Sequence, residues 1–142
     1  MPRSPDYLGA VGIGVSDLHK SAAFYQDVLG MSVAQTFKLD YMDEIVLVHE
    51  SRTAVVLMHW TDGSARNYKD VPVKLVFYYT DPPAIADKIK AAGLEVTRYP
   101  EKLPSFGNAM VGLAKDPDGY VIELLQTAPV REPAEHAAAA TA

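Results

Sequence analysis

The side chains that could do chemistry in this chain are its carboxylates, lysines, tyrosines and four histidines, because the sequence contains no cysteine. The lack of cysteine excludes disulfides, thiolate nucleophiles and cysteine-ligated metals. His59 lies in the apolar run Ala54 to Trp60, and an imidazole can transfer protons near neutral pH. In a strand, His59 would share one face with Leu57. We therefore predict a catalytic role for His59, with a hydrogen-bonded or surface histidine as the alternative.

Composition limits the classes of partner and location. The 142 residues are 49% apolar, which is enough to bury the core of one compact domain or of two small, related halves. The net charge is −5 and the basic residues are scattered, which argues against nucleic acid or an anionic membrane surface as partner. No apolar run approaches the roughly 18 residues of a membrane span. The N-terminal residues do not resemble a signal peptide, so we expect a cytoplasmic protein.

Two stretches of the chain show the same order of elements: strand, helix and three strands. In the first stretch, a strand at 8–15 precedes a helix at 18–29. Ser16-Asp17 supplies the N-cap of this helix, and Gly30 supplies the left-handed residue at its end. Three strand-like runs follow at 31–37, 44–48 and 53–60.

The second stretch follows a polar segment, residues 61–72, which is predicted to be a linker or a lid. A strand at 73–79 precedes a helix from Pro82 to about Ala92, and Gly93 ends that helix. Strands are then predicted at about 95–99, 109–114 and 120–126. We therefore predict two βαβββ modules, residues 1–60 and 73–127, followed by a flexible tail at 128–142.

Three segments of the sequence resemble the vicinal oxygen chelate superfamily, which includes glyoxalase I, extradiol dioxygenases and the bleomycin resistance proteins. They are VGIGVSDLHKSAAFYQDVLGM (Val11 to Met31), AVVLMHW (Ala54 to Trp60) and KDPDGYVIELLQ (Lys115 to Gln126). The resemblance implies an α+β fold in which two βαβββ modules form a cupped mixed sheet, the glyoxalase/bleomycin resistance fold. It implies little about the reaction, because one scaffold hosts many chemistries.

The resemblance also implies where metal-dependent members of the family carry their ligands. Each module typically gives a histidine from its first strand and a glutamate or histidine from its last. Placed by motif, these positions are Ala10, Leu57, Lys74 and Glu123. Only Glu123 is a ligand type, since alanine and leucine have no lone pair to donate and a protonated lysine has no acceptor. One carboxylate would hold a divalent ion weakly, so we predict neither a metal nor another cofactor.

Lys74 and Glu123 should then face each other inside the cup. The functional interpretation makes Glu123 a general acid or base, with Lys74 stabilising negative charge on a carbonyl oxygen in place of the lost metal. The alternative is a structural ion pair that fills the cleft.

The predicted lining of the cup is apolar with few polar groups, as in many small-ligand pockets. The small residues of the first strand leave open volume, and aromatic residues in loops could stack on a flat ligand. Bulky side chains could instead fill this space, and the rings could pack a dimer interface. The residues predicted to bind the ligand are Ala10, Gly12, Leu57, Val76, Tyr78, Tyr41, Trp60 and Phe106.

The first functional hypothesis is a metal-independent lyase, isomerase or cyclase that uses acid/base chemistry on a carbonyl-bearing or aromatic metabolite. The second is a non-catalytic protein that sequesters a ligand, as bleomycin resistance proteins do. A third is a metal enzyme with relocated ligands, for example His59, Glu123 and a residue of segment 41–44. In each case the expected partner is a small apolar or aromatic molecule, and we expect a homodimer. Whether the modules pair within one chain or between two is left open.

Overall fold

The computed structural model describes residues 8–50 and 52–127. The predicted tail at 128–142 lies outside the described residues, as do residues 1–7 of the first predicted module. Among the described residues, no helix is both long enough and apolar enough to cross a membrane.

The first four strands form one sheet in the order β1-β4-β3-β2. β1 is parallel to β4, whereas β2, β3 and β4 are mutually antiparallel neighbours. The first helix, α1, begins after Asp17, whose carboxylate accepts a hydrogen bond from the backbone N–H of Lys20. The elements are β1 (Ala10–Gly14), α1 (Leu18–Ala23), β2 (Ser32–Lys38), β3 (Met42–Val48) and β4 (Ala54–Trp60).

The predicted helix at 18–29 is not α-helical throughout. It changes at Phe24 into a π-helix, Phe24–Val28, in which the Leu29 N–H donates to the Phe24 carbonyl at 3.1 Å. The wider turn coincides with two successive buried aromatic side chains, Phe24 and Tyr25. Gly30 ends the helix with a φ of 80°, as its position in the sequence predicts.

The last four strands form a second sheet in the order β5-β8-β7-β6, with β5 parallel to β8. β6 is longer than the sequence predicts, because two register shifts carry it past Pro100. Pro100 packs so closely on Gly112 that a Cβ there would lie 2.6 Å from the proline Cγ. The elements are β5 (Lys74–Tyr79), α2 (Pro82–Ala91), β6 (Val96–Leu103), β7 (Ala109–Lys115) and β8 (Val121–Gln126), with a short 3-10 turn at Pro104–Phe106.

The predicted fold class is confirmed: the chain is α+β, with a four-stranded mixed sheet in each βαβββ unit. One continuous core joins the two units. It takes Leu57 from the first sheet, Phe77 and Ile122 from the second, and Ile89 from α2. Both sheets therefore bury one face in the same core. We call the opposite side of each sheet its outer face.

Polar contacts at the end of β1 also hold the units together. The Tyr25 hydroxyl donates to the carboxylate of Asp116 at 2.9 Å, and the Tyr120 hydroxyl donates to the Gly14 carbonyl at 2.6 Å. Ser16 donates from both its N–H and its hydroxyl to Asp118. Burial raises the pKa of Asp116, although hydrogen bonds from the Tyr120 N–H and the Tyr25 hydroxyl act against this. The turn before β8 is thereby fixed to the first unit.

Replacing Tyr25 by Phe should lower the free energy of unfolding by about 1–3 kcal/mol, because buried Asp116 loses a donor. The hydrogen bond from Tyr25, which the variant lacks, stabilises the charged form of the Asp116 carboxylate. The deficit should therefore be full above the raised pKa of Asp116 and shrink as the pH falls through it. Urea unfolding of the variant and the wild type at several pH values measures this difference in unfolding free energy. The control is Tyr41→Phe, whose ring is exposed and whose hydroxyl forms no hydrogen bond within the described residues. A Tyr25→Phe deficit that is equal at all pH values would contradict the role given to Asp116.

Candidate functional site

Lys74 and Glu123 lie together on the outer face of the second sheet. β5 and β8 pair in parallel with Val76 beside Glu123, so alternation places the side chains of Lys74 and Glu123 on the same side. Lys74 Nζ is 3.5 Å from Glu123 Oε2. The glutamate side chain is 18% exposed and the lysine 52% exposed, so the carboxylate is shielded while the ammonium stays open to solvent. The predicted pairing of these two side chains is present.

The sequence of β5 explains why this face remains available. Leu75 and Phe77 are buried in the shared core, and the alternating residues Lys74, Val76 and Tyr78 therefore point outward. Val76 is 43% exposed and Tyr78 63% exposed. The Lys74–Glu123 ion pair is therefore flanked by exposed apolar and aromatic surface.

The outer face of the first sheet carries no charge at the matching position. Gly12 of β1 stands beside Val56 of β4, just as Val76 stands beside Glu123. A Cβ on Gly12 would lie 3.1 Å from the terminal methyl of Met58, so the thioether covers the glycine. Ala10 pairs with Ala54 and is exposed on the same face. The small residues of β1 are thus partly covered by a flexible side chain.

The prediction that Leu57 lines the ligand site is wrong. Leu57 is 0% exposed and lies in the shared core, as does Leu124 in the second sheet. The residue of the first sheet that corresponds to Glu123 is Val56, one position earlier. Valine, like leucine, has no lone pair to give a metal.

The expected position of His59 is also wrong. It shares a face with Leu57, as predicted, but that is the core-facing side of the sheet. Its Nδ1 lies 2.8 Å from the Val15 carbonyl, and its ring stacks on Tyr68 with the ring centroids 5.7 Å apart. A carbonyl can only accept, so Nδ1–H donates. His59 thus fastens the end of β1, and the structure does not bring it to the Lys74–Glu123 pair.

The predicted rim residues are dispersed. Trp60 is half-buried, and the Arg66 guanidinium lies 4.5 Å from its ring centroid. The backbone N–H of Trp60 donates to the Tyr68 hydroxyl at 3.3 Å. Tyr41 is 51% exposed just before β3, and Phe106 is 65% exposed in the 3-10 turn. Their roles in binding a ligand remain predictions.

Sequence reasoning missed a cavity of about 1050 Å³ between the edge strands β1 and β5. Lys74, Val76 and Tyr78 reach it from β5, while His49 and Arg52 reach it from the turn before β4. His49 and Arg52 attracted no prediction because they flank a turn, and their proximity to β5 arises only from the packing of the two sheets. The cavity adjoins the ion pair.

The donor set does not fit the metal that the family resemblance implies. The four corresponding positions hold Ala10, Val56, Lys74 and Glu123, which together offer one carboxylate as ligand. Within residues 8–50 and 52–127, no group of three or more histidine, aspartate, glutamate or cysteine residues could hold a metal ion. The residues at these four positions therefore do not fit the ligand set of a divalent ion.

Comparison with known proteins identifies the family. A model described as the Glyoxalase/Bleomycin resistance protein/Dioxygenase superfamily matches residues 7–124. A protein of Vibrio cholerae named probable lactoylglutathione lyase is 36% identical over 117 residues, which cover 79% of this chain and 84% of that protein.

Solved structures show the same fold. Glyoxalase I of Zea mays matches with a TM-score of 0.76 and 24% identity over 89% of this chain, which spans only 46% of the maize chain. TnmS3, an antibiotic binding protein of Streptomyces sp. CB03234, matches with a TM-score of 0.69 and 19% identity, covering 89% of this chain and all of that one. At these identities the structures establish the fold alone.

Proposed function

Because this chain belongs to the glyoxalase, bleomycin resistance protein and dioxygenase superfamily, we propose that it is a metal-independent enzyme acting on a small carbonyl-bearing or aromatic metabolite. The reaction is a lyase, isomerase or cyclase step that begins with a proton transfer. The observation that carries the proposal is the Lys74–Glu123 pair, with 3.5 Å between Nζ and Oε2, at one of the family's ligand positions.

In this mechanism the two side chains have separate tasks. The Glu123 carboxylate takes a proton from a carbon next to the substrate carbonyl. The Lys74 ammonium donates a hydrogen bond to the carbonyl oxygen as negative charge develops there. Glu123 then returns the proton to a neighbouring carbon in an isomerisation, or a leaving group departs in an elimination. The shielded carboxylate and the open ammonium suit this division, because the substrate oxygen can reach Nζ from solvent.

A purely structural role explains the pair less well. Ion pairs this exposed typically contribute only about 0–1 kcal/mol to stability. The pair also stands among uncovered apolar residues, Val76 and Tyr78, where a ligand can pack beside it. The surrounding surface therefore favours a task in binding or catalysis.

The second candidate function is ligand sequestration without turnover. Phe37, on the outer face of the first sheet, is 43% exposed, and Tyr78 on the second is 63% exposed. Such surface suits an apolar or aromatic ligand. An antibiotic-binding protein with the same fold supports this candidate only through its fold.

We propose further that the site is completed by a second copy of the chain. The outer face with Glu123 and the outer face with Gly12 both point away from the shared core. The two faces of one chain therefore do not meet across that core. A twofold dimer would set the Lys74–Glu123 face of one chain against the Gly12–Val56 face of its partner.

Replacing Glu123 by Gln should lower turnover by about 100-fold or more, since proton transfer by a placed side chain contributes 10²–10⁴-fold. The measurement is deuterium uptake from D₂O by a panel of 2-oxo acids and 2-hydroxy ketones, followed by NMR. Glu95→Gln is the matched control, because Glu95 forms a comparable pair with Lys115 at 4.0 Å. Exchange by Glu123→Gln at the wild-type rate would refute the acid/base role. Tight ligand binding without exchange by the wild type would favour sequestration.

The shared-site arrangement predicts a solution mass of twice 15.5 kDa by light scattering. It also predicts complementation between Glu123→Gln and Gly12→Phe, which fills the opposite face. Each variant alone should be inactive, and mixed dimers should regain activity because one of their two sites is intact. A monomeric mass, or variants that never complement, would show that each chain carries a complete site.

A further inference from the structure

The cavity between β1 and β5 has a floor that suits the apolar part of a ligand. Val11 and Val55 contribute from the first sheet, and Leu75 and Phe77 from β5. Its volume of about 1050 Å³ is at the upper end of the range for small-molecule pockets. The floor is fixed by the shared core, because Val55, Leu75 and Phe77 are each less than 9% exposed.

His49 lines one wall of this cavity and is held by a hydrogen bond and two aromatic contacts. Its Nε2 lies 2.9 Å from the Leu29 carbonyl, to which it donates. Its ring stands at 90° to Phe77 and 88° to Tyr79, with centroids 6.0 and 5.9 Å away. These contacts set the position of the turn that follows β3, and Arg52 lies in that turn. The Arg52 N–H donates to the His49 carbonyl at 2.9 Å, so the backbone of Arg52 is tied to this histidine.

The charged lining of the cavity is entirely positive. Arg52 and Lys74 line it, and no aspartate or glutamate does so among the described residues. Lys74 is paired with Glu123, and no salt bridge is formed by Arg52 within the described chain. Arg52 is thus the cation of this lining that has no ion-pair partner among the described residues, in a protein whose net charge is −5. Thr53 and Thr127 add hydroxyl groups to the lining.

We propose that the cavity binds the carboxylate-bearing part of the substrate, with the carboxylate on Arg52 and the apolar body on Val55, Leu75 and Phe77. A planar guanidinium matches a carboxylate through two parallel hydrogen bonds. Lys74 lines the cavity and also contacts Glu123, so it stands where such a ligand would meet the proposed catalytic pair. The inference rests on the proposed function for what happens to the substrate, and it names the substrate class: an organic acid with an apolar body and a carbonyl group.

The test measures binding in the Glu123→Gln background, where any chemistry is disabled. The probes are 4-phenylbutyrate and its neutral analogue 4-phenylbutanamide, titrated by NMR. The carboxylate should bind at least about tenfold more tightly than the amide. Adding Arg52→Gln should lower the affinity for the carboxylate by about tenfold and leave the affinity for the amide unchanged. A tenfold loss corresponds to one charge-assisted contact. Lys88→Gln, which removes one positive charge from the exposed side of α2, should change neither affinity.

Equal affinity for the acid and the amide, or an Arg52→Gln variant that binds the acid normally, would overturn the proposal. So would an Arg52→Gln variant whose oligomeric mass changes as binding is lost, because the cavity would then belong to an interface between copies. If the acid binds as expected while wild-type protein shows no proton exchange, the substrate site stands and the proposed chemistry fails.

Discussion

Burial of one face from each sheet in a single core decides which side chains remain available for chemistry. Leu57 and Leu124 are both fully buried, and the residues beside them in β4 and β8 must therefore point away from the core. Glu123 points to the outer face for this reason, and so does Lys74, since Leu75 and Phe77 fill the core side of β5. The catalytic proposal, the cavity and the dimer proposal all follow from this constraint.

The order of elements could be predicted from the sequence. The outer face of the second sheet could also be predicted, because polar residues mark that face. In Tyr120 to Gln126, Glu123 stands among apolar residues and can point only away from the core. The run Ala54 to Trp60 has no such mark before His59, because five apolar residues follow one another from Ala54 to Met58. Strand alternation could not be assigned there, and an error of one residue moved Leu57 and His59 to the wrong side.

Other features could not be read from local patterns because they join distant parts of the chain. His59 bonds to the carbonyl of Val15, Tyr25 to Asp116, and Tyr120 to the carbonyl of Gly14. The cavity likewise appears only when the turn before β4 is packed beside β5. Residue types suggested a catalytic histidine, whereas the structure shows a histidine that secures the end of β1 within the first unit.

The resulting site differs electrostatically from a chelate centre. A divalent ion would bring two positive charges and several coordination positions, whereas Lys74 brings one charge and three hydrogen-bond donors. Such a group can stabilise a developing oxyanion without binding two substrate oxygens at once. The chain therefore keeps the scaffold of its family, and under the proposed function Glu123 would transfer the proton beside Lys74 without a metal.

The most direct test is metal content by mass spectrometry, on wild-type protein and on Ala10→His/Val56→Glu/Lys74→His, both produced with nickel, manganese, iron and zinc supplied. We expect almost no metal in the wild type. We expect about one ion per chain in the triple variant, whose four positions would then be ligand types. A control that carries only Val56→Glu should gain almost none, because two carboxylates alone hold a divalent ion weakly. One ion per wild-type chain, lost when Glu123 is replaced by Gln, would contradict the central claim.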